Sequence, residues 1–96
     1  MARFDVHQAS GAYLLDCQTD LLAHLSTRFV VPLVPAGSAP ETNRLNPVFN
    51  IDGVRLVMAT QLALAVPTRE LGPRVGSLAD EHSSIMNAFD MLLTGY

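Results

Sequence analysis

Three polar residues in the first third of the chain, Asp16, His24 and Arg28, have side chains that could carry acid–base chemistry. Such chemistry, as in a ribonuclease, needs only proximity in space, so dispersed residues can supply it. Asp16 and Asp20 lie four positions apart, but across a predicted strand-to-loop boundary, where that spacing does not place two carboxylates on one face. We therefore expect both acids to be solvated turn residues, and we keep the dispersed acid–base set as an alternative.

Other signatures of catalysis or ligand binding are missing from the sequence. His7, His24 and His82 have no second histidine or cysteine at the spacing that zinc sites use, so no metal is expected. The stretch GPRVGS at residues 72–77 lacks the lysine of a phosphate-binding loop, and no G-x-S-x-G motif occurs. We expect no cofactor and no enzymatic activity.

Composition indicates a small folded domain. The 96 residues are 49% apolar with a net charge of -3, which favours a single domain over residues 1–96 and disfavours disorder. All six basic residues are scattered arginines, so no basic stripe is available for direct binding of nucleic acid. The longest apolar run, residues 29–34, is much shorter than the roughly 20 residues that cross a bilayer. We expect a soluble cytoplasmic protein, with the lone Cys17 reduced and buried in a strand.

Alternating and β-branched residues predict a mainly antiparallel β structure. Asp52-Gly53 is typical of a type I′ hairpin turn, and Ser10-Gly11 belongs to the turn of an N-terminal hairpin. Pro32 lacks the N–H that a central strand donates, which predicts an edge strand or a bulge. The predicted strands are residues 3–7, 12–17, 28–34, 47–51 and 54–60; residues 35–43 are predicted as an exposed loop, and residues 62–76 as mostly loop or short edge strand.

The chain ends in a predicted amphipathic helix that begins at a capping box, Ser77 to Asp80, and stops at Gly95. One stripe of the helix is expected to pack on the sheet; it consists of Leu78, Ile85, Ala88, Phe89, Leu92 and Leu93. The opposite, solvent-facing side holds Asp80, Ser83, Ser84, Asn87, Asp90, Met91 and Thr94. Met58 and Met86 are expected to fill the core, whereas Met91 is a candidate contact residue.

Several stretches, in this order and spacing, resemble the CcdB family of plasmid-addiction toxins over essentially the whole chain. They are QTD at 18–20, RFVVPL at 28–33, NPVFNIDG at 46–53, VMAT at 57–60, AVP at 65–67, and Ile85, Asn87, Ala88 and Gly95 of the helix. The resemblance implies a CcdB/MazF-type fold, which is a small antiparallel barrel-like sheet with an extra hairpin and a C-terminal helix, paired as a homodimer.

The resemblance also implies a function. Family toxins are non-enzymatic poisons of DNA gyrase: the toxin dimer sits across the GyrA dimer and traps the covalent gyrase–DNA complex, and a CcdA-like antitoxin with a disordered tail neutralises it. The gyrase contacts are then expected along the outer helix face and the chain end, at Ser83, Asn87, Asp90, Met91, Thr94, Gly95 and Tyr96.

The chain end departs from the family pattern. The best-studied family toxin ends in Trp-Gly-hydrophobic, and its aromatic ring stacks on an arginine of gyrase. Here the aligned residues are Thr94, Gly95 and Tyr96, so only the glycine carries over. Gyrase poisoning would persist if Tyr96 supplied the ring from two positions later, or if Asp90 and Met91 contacted a variant gyrase. Three alternatives remain beside gyrase poisoning: a different target, an endoribonuclease on the related MazF-type fold, and a degenerate toxin that only binds antitoxin. The competing interpretation of Thr94 and Tyr96 is a frayed, solvated chain end without a partner.

Overall fold

A computed structural model describes residues 2–37 and 44–95, and these residues form an antiparallel half-barrel sheet with one C-terminal helix. The strand order is β4-β5-β3-β2-β1-β7, and β6 pairs with β3. The elements are β1 Asp5–Ala9, β2 Ala12–Asp16, β3 Thr27–Pro35, β4 Val48–Ile51, β5 Val54–Met58, β6 Leu64–Pro67, β7 Arg74–Ser77 and α1 His82–Thr94, with 3-10 turns at Asp20–Leu22, Thr60–Leu62, Thr68–Glu70 and Ala79–Glu81. The predicted fold class is confirmed. Residues 38–43 of the predicted loop lie outside the described residues.

Both predicted hairpins form, and their turns explain why. Ser10 and Gly11 have φ values of 51° and 80°, and Asp52 and Gly53 have values of 51° and 81°. Two successive residues with positive φ are the mark of a type I′ turn, whose twist matches that of antiparallel strands. The turns set the registers Ala9↔Ala12 and Ile51↔Val54.

The expectation that Pro32 marks an edge strand or a bulge is wrong, because β3 is a central strand. It pairs with β2 along one side, and along the other with β6 through residues 27–30 and with β5 through residues 33–35. Pro32 lies between these two ladders, and its carbonyl accepts a hydrogen bond from the Ala59 N–H at 2.9 Å. The proline nitrogen points to the same side of β3 as this carbonyl, at the break between the two ladders. No ladder hydrogen bond therefore requires the missing N–H.

Residues 62–76, predicted as mostly loop or short edge strand, contain two strands of four residues each, and β7 lies at an edge of the sheet. β6 pairs with β3, and β7 pairs with β1. Just before β7 the backbone crosses close to β1: the Gly72 N–H donates to the Gln8 carbonyl at 2.7 Å, and the Gln8 N–H donates to the Pro73 carbonyl at 3.1 Å. A Cβ on residue 72 would overlap the Gln8 carbonyl oxygen. This approach therefore requires glycine.

The helix differs from its prediction at both ends. Ser77 Oγ accepts a hydrogen bond from the Ala79 N–H at 3.2 Å, as a cap would, but it is the last residue of β7, and a 3-10 turn separates it from α1. Leu78, Ile85, Ala88 and Phe89 are buried as expected. Leu92 and Leu93 are instead 40% and 76% exposed. Phe89 is the last buried residue of α1. Its ring centre lies 5.7 Å from that of Phe29, which is 40% exposed.

The sulfur-containing residues fill the interior largely as predicted. Met58 is fully buried and Met86 packs partly buried against the core. Cys17 is buried one residue beyond β2, and its N–H donates to the Phe29 carbonyl at 2.9 Å. Burial, and secondarily the charge of Asp16, raises the pKa of the Cys17 thiol to about 12. The thiol is therefore protonated in the folded protein at neutral pH.

Replacing Gly72→Ala is expected to lower the free energy of unfolding by about 2 kcal/mol or more, because backbone atoms must separate to admit the methyl group. Urea denaturation measures the loss. Gly76→Ala is the matched control: its Cβ would meet only Ile51 side-chain carbons at 3.5 Å and 3.7 Å, which is ordinary contact. Equal stability losses in the two variants would contradict the close approach.

The thiol of Cys17 should make stability depend on alkaline pH. Its pKa is higher in the folded state than the reference value of 9.0, so its contribution is complete below about pH 9 and declines as pH rises toward about 12. Across that range the ionisation of Cys17 should lower the free energy of unfolding by an amount that approaches about 1.4 kcal/mol per pH unit. Urea unfolding at about pH 8 and about pH 10.5 should show a smaller pH dependence in Cys17→Ala than in the wild type; identical pH dependence would refute the assignment.

Candidate functional site

The predicted contact residues share one exposed stripe of α1. Ser83, Asn87, Asp90, Met91 and Thr94 are all exposed, with Met91 at 41%. They recur at intervals of three and four residues, which keeps them on one side of the helix. The structure thus brings together the helical members of the predicted site. Gly95 follows directly, and Tyr96 lies outside the described residues.

The helix ends in a left-handed cap. Gly95 has a φ of 81°, and its N–H donates to the Met91 carbonyl at 3.1 Å. The Thr94 hydroxyl donates to the Asp90 carbonyl at 2.7 Å. The Thr94 side chain is therefore folded back on its own helix, so its hydroxyl proton is already engaged. Threonine also offers no ring on which a cation could stack.

Arg3, which the sequence reasoning missed, connects the N-terminal segment to α1. Its guanidinium Nη2 lies 3.2 Å from the Met86 Sδ as a hydrogen-bond donor, and its Cζ lies 4.6 Å from the centre of the Phe4 ring. The Phe4 ring in turn meets the His82 ring edge-on at 5.6 Å. Phe4 is buried with a φ of 70°, which is rare for a bulky residue. No local sequence pattern announces this arrangement, because it depends on contacts more than 70 positions apart.

The backbone of Arg3 connects a second exposed segment to the same region. Its N–H donates to Asp20 Oδ1 at 3.0 Å, at the start of the 3-10 turn Asp20–Leu22. Leu21 on that turn is 86% exposed, the highest exposure among the large apolar residues described. Leu22 and Leu25 nearby in the sequence are also exposed, at 43% and 42%, so the segment leaves several apolar side chains in water. The sequence carried one usable signal, the adjacent leucines 21 and 22 in a polar loop.

Further exposed apolar side chains lie in α1 and in two segments that contact it. Phe29 touches Phe89 of α1, and the turn Thr60–Leu62 also contacts α1. Leu62 is 60% exposed, in addition to Phe29, Leu92 and Leu93. These four residues, Phe29, Leu62, Leu92 and Leu93, are called the apolar rim below. Their exposure leaves apolar area in water that a protein partner could cover.

The prediction that Asp16 is a solvated turn acid is wrong. Asp16 is 0% exposed and Arg28 is 1% exposed. The Asp16 Oδ2 lies 2.9 Å from Arg28 Nε and 2.6 Å from Arg28 Nη2, and its Oδ1 accepts the Gln18 N–H at 3.1 Å. The two charges neutralise each other inside the fold, at the end of β2 and the start of β3. A buried carboxylate is tolerated only with such a partner.

The predicted acid–base set is consequently not assembled at the surface. Two of its members, Asp16 and Arg28, bind each other in the interior, whereas His24 is exposed. Asp20 is exposed as expected for a turn acid. Across residues 2–37 and 44–95, no group of three or more histidine, cysteine or acidic side chains is positioned to hold a metal ion, and no pocket is found. Within those ranges, α1 is too short to span a bilayer.

Comparison with protein families gives one match of nearly full length. The family model described as CcdB protein matches residues 3–95 of the 96-residue chain. The match includes β1 to β7, the helix and Gly95. No similar sequence was found among curated proteins.

The buried ion pair leads to a stability prediction. Arg28→Met should lower the free energy of unfolding by about 3 to 5 kcal/mol, because it leaves the Asp16 carboxylate buried without a counterion. The double variant Asp16→Leu with Arg28→Met should recover much of that loss, since neither charge remains. Chemical denaturation of the single and double variants measures both effects.

Asp52→Asn is the matched control for that pair, because Asp52 is exposed at a hairpin turn where asparagine also tolerates positive φ. Its stability should change by less than about 0.5 kcal/mol. A small effect of Arg28→Met, comparable to that of the control, would mean that the pair is not desolvated.

Proposed function

The chain belongs to the CcdB family of toxin–antitoxin toxins, and we propose that it acts by binding the GyrA component of DNA gyrase and trapping the cleaved gyrase–DNA complex. The observation that carries the proposal is the end of α1. Its outer stripe and last turn are exposed and project beyond the core, while the family match extends through this helix to residue 95. The proposed contacts are Ser83, Asn87, Asp90, Met91, Thr94, Gly95 and Tyr96.

The proposal includes a homodimer built from one toxin domain, residues 1–96, per protomer. The apolar rim at the base of the helix end is the surface that a second copy would cover. GyrA is itself a dimer, and a two-fold symmetric toxin presents two identical helix ends to it. Covering the rim also adds apolar burial that a domain of this size lacks.

Binding rather than catalysis is the proposed mode of action, without a cofactor. Poisoning by binding requires that the toxin complex stabilises the cleaved state of the enzyme relative to the resealed state. A CcdA-like antitoxin is the proposed neutralising partner, and the cytoplasm, where gyrase acts, is the proposed location. The endoribonuclease alternative receives no support from Asp16, His24 and Arg28, because two of these residues are inaccessible.

A DNA-cleavage assay with purified gyrase from the same source tests the function. Micromolar full-length chain should convert supercoiled plasmid into linear DNA that stays covalently attached to gyrase. The control is the same reaction with added antitoxin, which should restore religation. Growth arrest without trapped DNA would point to another target, and antitoxin binding without growth arrest would identify a degenerate toxin.

Deleting residues 94–96 should abolish growth arrest and gyrase trapping while the domain remains folded. The reason is that Thr94 and Gly95 are exposed and contribute only the last helix cap to the fold. Circular dichroism and thermal unfolding check the fold, with an expected loss of no more than about 1 kcal/mol. Undiminished killing by the shortened chain would contradict the assigned site.

A further inference from the structure

α1 carries one carboxylate side chain, and that side chain stands at the end of the helix that is unfavourable for negative charge. Among the 13 residues His82–Thr94, Asp90 is the only acid, and there is no lysine or arginine. Backbone dipoles give the C-terminal end of a helix a partial negative charge, where a carboxylate is destabilising. Asp90 begins the last turn, close to that end.

No other described side chain neutralises Asp90. The residues three and four positions away on the helix surface, Met86, Asn87, Leu93 and Thr94, are uncharged. Asp90 forms no ion pair with the described residues. An arginine does contact the helix one turn earlier, where Arg44 Nη2 lies 3.5 Å from the Asn87 carbonyl oxygen. The Asp90 carboxylate is therefore placed unfavourably with respect to the helix dipole, and no ion pair with a described side chain compensates for it.

The position of Asp90 excludes a role in core packing. Its side chain is exposed, and the residues that follow it to Gly95 are exposed as well. The Thr94 hydroxyl is occupied by the Asp90 carbonyl. Among the described residues from position 90 to 95, Asp90 therefore carries the one charged side chain. A residue that weakens its own fold at an exposed site is characteristic of function.

We propose that Asp90 is the specificity-determining residue of the helix end and that it pairs with an arginine or lysine on the target surface. The inference rests on the proposed function, in which the end of α1 docks on gyrase. An ionic hydrogen bond from Asp90 then recognises a cation of the target, which Thr94 cannot do by stacking because it has no aromatic ring. A carboxylate that becomes desolvated in an interface requires such a cation, and charge complementarity rejects target surfaces without one.

The test compares two exposed acids at opposite ends of the helical segment. Asp90→Asn should reduce growth arrest and gyrase affinity about tenfold or more, because a neutral amide cannot replace the ion pair. The same variant should raise the melting temperature by about 2 to 5 °C, since the unfavourable charge is removed. Asp80, in the 3-10 turn before α1, is the matched control. Asp80→Asn should lower the melting temperature and leave killing unchanged.

Ionic strength provides an independent measure. The affinity of the wild type for gyrase should fall more steeply between about 50 mM and 300 mM salt than that of Asp90→Asn, because salt screens the proposed ion pair. Full killing by Asp90→Asn overturns the inference, as does loss of killing together with a lowered melting temperature. If the wild type kills in a way that depends on Asp90 but does not bind gyrase, the result supports the charge pairing and overturns gyrase as the target. A wild type that neither kills nor binds gyrase overturns both proposals.

Discussion

The structure depends on the requirement that β3 be hydrogen-bonded along both sides. This strand has nine residues, and it is shared by β2, β5 and β6. A central strand with a proline would normally leave a carbonyl without a donor. Here the sheet changes partner at Pro32, so the missing N–H coincides with the break between two ladders. A proline is thus accommodated within a central strand because the sheet changes partner at the same point.

The interior holds a charge pair because a buried arginine, Arg28, lies at the start of β3. Arg28 would carry an isolated positive charge into the sheet, and the cost of removing it from water is several kcal/mol. Asp16 ends the neighbouring strand and offers a carboxylate at hydrogen-bonding distance, while the Gln18 N–H satisfies the remaining oxygen. The pair fastens β2 to β3 beside Phe29, which contacts α1. Two residues whose types suit acid–base catalysis therefore link two neighbouring strands in the interior.

Buried and exposed residues separate along α1. Its first turns bury Ile85, Ala88 and Phe89 and bind the helix to the sheet, and its last turn leaves the core. Within that last turn the chain gains little from burial, and Asp90 opposes the helix dipole. Both features are unfavourable for the chain by itself, and they agree with the proposal that other molecules cover this surface. The fold provides a rigid base, and the helix end extends from it.

Local chemistry determined which parts of this protein could be read from its sequence. The two hairpins follow from Ser10-Gly11 and Asp52-Gly53, whose backbone preferences act within four residues. The helix and its stop at Gly95 follow from hydrophobic periodicity and from the conformational freedom of glycine. The order and spacing of several short sequence stretches indicated the CcdB family. Long-range placement was decided by the tertiary structure alone. Sequence cannot show where a sheet changes partner, whether Asp16 finds Arg28, or where the core ends beneath Leu92 and Leu93, because each depends on which residues meet across distant segments.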